Sequence, residues 1–116
     1  MDRKKELKEQ YKQMRPDMGI MGIRSKLDTW CYIEGSQNLR AVLNGSRFKL
    51  ETNFHPSREL LKKFQEQGVE NFTFEVLEQL EYDKDETKTD YTDDLEILLL
   101  EWEERLVNQG ITVVKR

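Results

Sequence analysis

The stretch MGIMGIRSKLDTWCYIEGSQNL, residues 18–39, decides how this chain folds. MGIMGIRSK (18–26) and TWCYIEG (29–35) are short, apolar and rich in β-branched or aromatic side chains. With Leu27 and Asp28 between them, they predict a β-hairpin. Asn38 then predicts a helix cap, because its side-chain oxygen can accept from an amide of the first turn. The helix it opens has Leu39, Val42, Leu43 and Leu50 on its core side and Arg40, Arg47 and Lys49 outside. Farther along, His55-Pro56 predicts another helix with proline in the first helical position, Leu60, Leu61 and Phe64 on one face and Gly68 as the stop. Alternation of Phe72, Phe74 and Val76 with polar neighbours predicts a strand over 71–81, followed by an acidic loop to Asp90. Thr92, followed by Asp93 and Asp94, predicts a helix start, and Leu95, Leu98, Leu99, Trp102 and Leu106 form its apolar stripe. Gly110 closes that helix, and Ile111–Lys115 reads as a short edge strand. Hairpin, helices and later strand in this order predict an α+β layer.

Upstream, Leu7, Tyr11 and Met14 fall at helical spacing before Pro16, among Arg3, Lys4, Lys5, Lys8, Lys12 and Arg15. The chain therefore divides into a basic N-terminal helix over 1–16 and a domain over 17–116. Its 116 residues suit one domain. No apolar run approaches the ~20 residues that span a bilayer, and the charged N-terminus lacks the apolar core of a secretory signal. One cysteine, Cys31, allows no intrachain disulfide and points to a reducing, cytoplasmic setting. With His55 as the lone histidine, soft ligands for a structural zinc are lacking, and no resident metal is expected. Residues 1–63 carry 14 Lys and Arg against 8 Asp and Glu; residues 64–116 carry 5 against 15. The first half can attract phosphates and the second a basic partner; both halves also read as ordinary solvated faces. The acidic run from Asp83 to Asp94 is no EF-hand, since Lys88 stands where glycine is required and Asp94 where the bidentate Glu belongs.

Gly19-Ile20-Met21, ten intervening residues, and then Tyr32-Ile33-Glu34-Gly35-Ser36-Gln37-Asn38-Leu39 resemble the paired motifs of the GIY-YIG nuclease family. HPSREL (55–60) and QEQGVENFTFEVLE (65–78) resemble two further blocks of that family in the same order, so the likeness spans roughly residues 17–106. The resemblance implies a small α/β sandwich around a three-stranded antiparallel sheet flanked by helices. It also implies a site in which two tyrosines, an arginine, a histidine and a metal-binding glutamate cleave a phosphodiester, with Mg²⁺ or Mn²⁺ as cofactor.

Transferred position by position, the resemblance leaves that chemistry incomplete. Met21 stands at the first tyrosine, Val42 at the arginine and Leu99 at the metal-binding glutamate; Tyr32 and His55 are kept. Glu34 stands at the glycine of the second motif, while Arg40, Arg47, Glu96 and Glu101 lie near family positions without occupying them. Each retained residue also has a plain structural reading: Tyr32 as a packed strand aromatic, His55 as a helix cap, Trp102 and Cys31 as core.

The expectation is a catalytically inactive domain that binds DNA or RNA through Arg3, Lys4, Lys5, Arg24, Arg40, Arg47 and Lys49. The sequence is also similar to chains labelled LuxR-type transcriptional regulators, although no helix-turn-helix pattern accompanies the label. A protein-interaction module or homo-oligomer, and a weak metal-dependent endonuclease using substitute residues, are the alternatives. A cleft beside Tyr32 filled by Met21, Val42 and Leu99 is the structural expectation for a silent site.

Overall fold

The computed structural model describes residues 15–116. The helix expected before Pro16, with Arg3, Lys4 and Lys5, lies outside the described residues. Strands β1 (Met18–Ser25) and β2 (Trp30–Ser36) form the antiparallel hairpin, with Met21 opposite Glu34 and Ile23 opposite Tyr32. The Ser25 hydroxyl oxygen accepts from the amides of Leu27 and Asp28, which ties the turn together.

Helix α1 (Leu39–Glu51) starts as its sequence dictates: Asn38 Oδ1 accepts from the Ala41 amide at 3.1 Å. Helix α2 (Arg58–Gln67) begins later than expected. Pro56 lies before the helix, and Ser57, not His55, caps it by accepting from the Leu60 amide; His55 Nδ1 instead accepts from the Ser57 amide at 3.0 Å. A hydroxyl at the cap, three residues before Leu60, satisfies a first-turn N–H that has no partner within the helix. Gly68 stops α2 with φ 86°, a left-handed conformation costly for other residues.

A 3₁₀ turn (Val69–Asn71) leads into β3 (Phe72–Leu80), so Asn71 precedes the strand rather than opening it. β3 pairs antiparallel with β1, and its register slips between Ile20 opposite Glu78 and Met21 opposite Val76. Leu77 is the extra residue of this β-bulge. The slip reverses which face the even-numbered residues occupy. Phe72 and Phe74 pack with Met21 and Ile23, whereas Leu77 and Leu80 pack with Ile20 and helix α3 (Thr92–Asn108). Gly19 lies beside the slip, where a Cβ would stand 1.9 Å from the Glu78 carbonyl oxygen. Only glycine lets these two backbones approach so closely.

α3 departs from its expected cap. The Asp90 carboxylate accepts from both the amide and the hydroxyl of Thr92, and Tyr91 occupies the cap position. After Gly110, strand β4 (Thr112–Lys115) pairs with β2 in parallel, Tyr32 opposite Val114. The sheet therefore has four strands in the order β3-β1-β2-β4, not the three expected. The added strand covers the β2 edge, which would otherwise present unpaired backbone groups.

Two layers of helix enclose the sheet. On one face Met21, Ile23, Trp30, Tyr32 and Phe72 meet Leu39 and Leu50 of α1 and Leu60 of α2. On the other, Ile20, Cys31 and Ile33 meet Leu98, Leu99 and Leu106 of α3. Removing such side chains from water contributes about 1.5–3 kcal/mol each. No helix among the described residues is long and apolar enough to cross a membrane.

Candidate functional site

Strand periodicity places Trp30, Tyr32 and Glu34 on the α1–α2 face of β2 and Cys31 and Ile33 on the α3 face. Tyr32 is fully buried and its hydroxyl donates to Glu34 Oε1 at 2.7 Å. Burial, reinforced by that bond and by the Glu34 charge, pushes the phenol far above its ordinary pKa; Arg116 opposes weakly. A phenol so held keeps its proton throughout the working range.

His55 lies edge-on to the Tyr32 ring, centroids 5.4 Å apart, and is almost wholly buried. Burial lowers its pKa, the Glu34 carboxylate opposes that shift, and Arg116 and Lys49 add to it. Because Nδ1 accepts from Ser57, the neutral ring carries its proton on Nε2. Tyr32, Glu34 and His55 thus form one cluster at the end of the hairpin, with Lys49 and Arg116 as the nearby positive charges. Glu34, at the family's glycine position, is the partner of the retained tyrosine.

Met21 is fully buried directly across from Glu34, and Val42 packs partly buried against the same cluster. Leu99 does not join them. It belongs to the opposite face of the sheet, packed with Ile20 and Ile33, so the expected filling of one cleft by all three residues is corrected. The physical cause is the sheet itself, which separates α3 from Tyr32.

Leu99 instead lines a hollow of about 380 Å³ together with Gly35, Glu96, Lys115 and Arg116. A divalent cation does not fit there. Glu96 is the single carboxylate among the lining residues, Lys115 and Arg116 share that lining, and Leu99 supplies no donor. Glu101 is exposed outside that lining. Among the described residues no group of three or more His, Cys, Asp or Glu converges as a metal site.

The basic residues divide in the same way. Arg40, Arg47 and Lys49 are exposed on α1. Arg24 lies in register with Cys31, hence on the α3 face, and pairs with Glu75 at 3.3 Å. The sheet keeps it from acting with the α1 cations. Sequence reasoning missed Arg116, whose approach depends on β4, and the Tyr32–Glu34 bond, which the i, i+2 spacing on a strand does signal.

An antiparallel hairpin whose second strand feeds a capped helix, with a third strand on the outer side of β1 and helices on both faces, makes a small α+β domain consistent with the fold that the GIY-YIG resemblance implies. Among solved structures, the catalytic domain of the homing endonuclease I-TevI superposes with TM-score 0.66, covering 84% of this chain and 97% of that one at 20% identity. A mutant of the same intron endonuclease domain gives TM-score 0.65, 83% and 90% coverage and 20% identity. That likeness shows the fold. No protein-family model matches the sequence, and no curated protein matches it significantly.

Proposed function

We propose that this chain is a catalytically silent domain on a GIY-YIG nuclease scaffold, and that it binds nucleic acid without cutting it. The observation that carries this reading is the Tyr32 hydroxyl, which is buried, donated to Glu34 and flanked across the hairpin by Met21. Phosphodiester hydrolysis needs a group to take a proton, a cation or guanidinium for the developing charge, and a site open to the phosphate. The Tyr32 phenol keeps its proton and directs it to Glu34, the Glu34 carboxylate repels rather than stabilises developing negative charge, and Met21, Val42 and Leu99 supply no substitute. Loss of one preorganised donor to a developing anion typically costs ~10²–10³ in rate.

Nucleic acid is the ligand class that the fold of the I-TevI catalytic domain and the exposed Arg40, Arg47 and Lys49 of α1 support. A regulatory role would be exercised through that binding. Gel retardation of labelled DNA and RNA tests the reading. A shift at ~50 mM salt that weakens steeply by ~200 mM is expected, because phosphate contacts release counterions. No shift at the lower salt overturns it.

One feature favours a second reading, a protein-interaction surface. Ile97, Leu100 and Val107 are 59%, 48% and 53% exposed on α3, spaced by three and seven residues. Glu96, Glu101, Glu103 and Glu104 lie among them, so the surface suits a basic apolar partner or the basic half of a second copy. A salt-sensitive dimer in sedimentation, lost on Ile97→Lys, would favour it.

A further inference from the structure

Phe48 and Phe54 are 65% and 78% exposed, and the chain holds both in place. Phe48 sits within α1, and its carbonyl accepts from the Thr52 hydroxyl at 2.8 Å. The Phe54 amide donates to the Lys49 carbonyl at 2.7 Å. Between them Asn53 adopts φ 64°, a conformation unfavourable for most side chains and least so for asparagine. Gln65 of α2 secures that turn by donating to Asn53 Oδ1 at 2.7 Å. A fixed left-handed turn therefore delivers one aromatic to water immediately before the buried His55.

Cations flank Phe48 along α1. At ~100° per residue, Arg47 and Lys49 project on the two sides of Phe48, and Arg40, seven residues before Arg47, shares its side. The Arg47 guanidinium lies 4.9 Å from the Phe74 ring centroid, which anchors it against β3. Glu51 is the single acidic residue of α1. In a chain of net charge -4, this concentrates positive charge beside the exposed Phe48 ring.

We propose that Phe48 and Phe54 form a stacking platform for the unpaired bases of single-stranded nucleic acid, with Arg40, Arg47 and Lys49 holding its phosphates. Duplexes hide their base faces, so exposed rings flanked by cations match a single strand better. The proposal rests on the nucleic-acid reading above and adds the strand class and the surface.

Fluorescence anisotropy of a labelled 20-nucleotide strand, alone and annealed to its complement, tests it on the full chain at ~50 mM salt. The single strand is expected to bind more tightly. Phe48→Ala/Phe54→Ala should weaken single-strand binding by about tenfold or more while leaving duplex binding and the melting temperature unchanged. Lys49→Gln should weaken both, and Glu51→Gln should tighten both. Equal affinity for the two forms, untouched by the double substitution, overturns the platform and leaves the nucleic-acid reading standing. Absence of binding to either form overturns both. A change of oligomeric state in the double variant overturns the platform in favour of a protein contact.

Discussion

The Tyr32 hydroxyl donates to Glu34 Oε1 two residues along the same strand, at 2.7 Å. The residue retained from the nuclease pattern and the residue that departs from it are thereby a single hydrogen-bonded unit. The bond holds the phenol in its protonated form and engages the Glu34 carboxylate. It explains why a preserved tyrosine need not mean preserved chemistry.

Energetic coupling between these residues should be measurable. Tyr32→Phe removes the donor and leaves the half-buried Glu34 carboxylate unmatched, which should cost about 1–2 kcal/mol of stability. In a double-mutant cycle with Glu34→Ala, which removes the acceptor, urea denaturation should give a non-zero interaction energy of about 1 kcal/mol. Strict additivity would mean that the bond contributes nothing.

His55 predicts a pH dependence with a definite sign. Burial, Arg116 and Lys49 lower its pKa below 6.5 in the folded protein, outweighing Glu34. The unfolded chain therefore binds the proton more readily. The contribution of His55 is fully present above its unfolded pKa and is lost as pH falls through its folded pKa. Melting temperature should fall on acidification from pH 7 to 5, and less so in His55→Asn, whose amide oxygen can still accept from Ser57. Equal slopes in the two proteins would assign the acid sensitivity elsewhere.

Two glycines should respond oppositely to alanine. At Gly19 a Cβ would lie 1.9 Å from the Glu78 carbonyl oxygen, so Gly19→Ala must force β1 and β3 apart. A loss above ~3 kcal/mol, or failure to fold, is expected. Gly45 lies inside α1, with nothing within 4 Å of its added Cβ. Gly45→Ala should stabilise by about 0.5–1 kcal/mol through helix propensity alone. Thermal denaturation of both variants checks the contrast.

What the sequence made legible follows from the range of each signal. The hairpin, Asn38 cap and α3 stripe are local patterns of period two or 3.6, and they appear where expected. The parallel pairing of β4 with β2 joins residues some eighty positions apart, which no local pattern encodes. The bulge at Leu77 inserts one residue without disturbing the composition around it, so the change of face went unread. At the site, Tyr32 and His55 were identifiable by type, and the spacing of Tyr32 and Glu34 already put them on one face. Leu99 was misplaced because spacing along the chain does not tell which side of the sheet a helix covers. Arg116 became a neighbour of the cluster only through β4.

The most direct test is incubation of the purified full chain with supercoiled plasmid in Mg²⁺ or Mn²⁺, followed by gel analysis against a protein-free control. The account predicts that the plasmid stays supercoiled to the same extent in both. Metal-dependent nicked or linear product that disappears on Tyr32→Phe would contradict it.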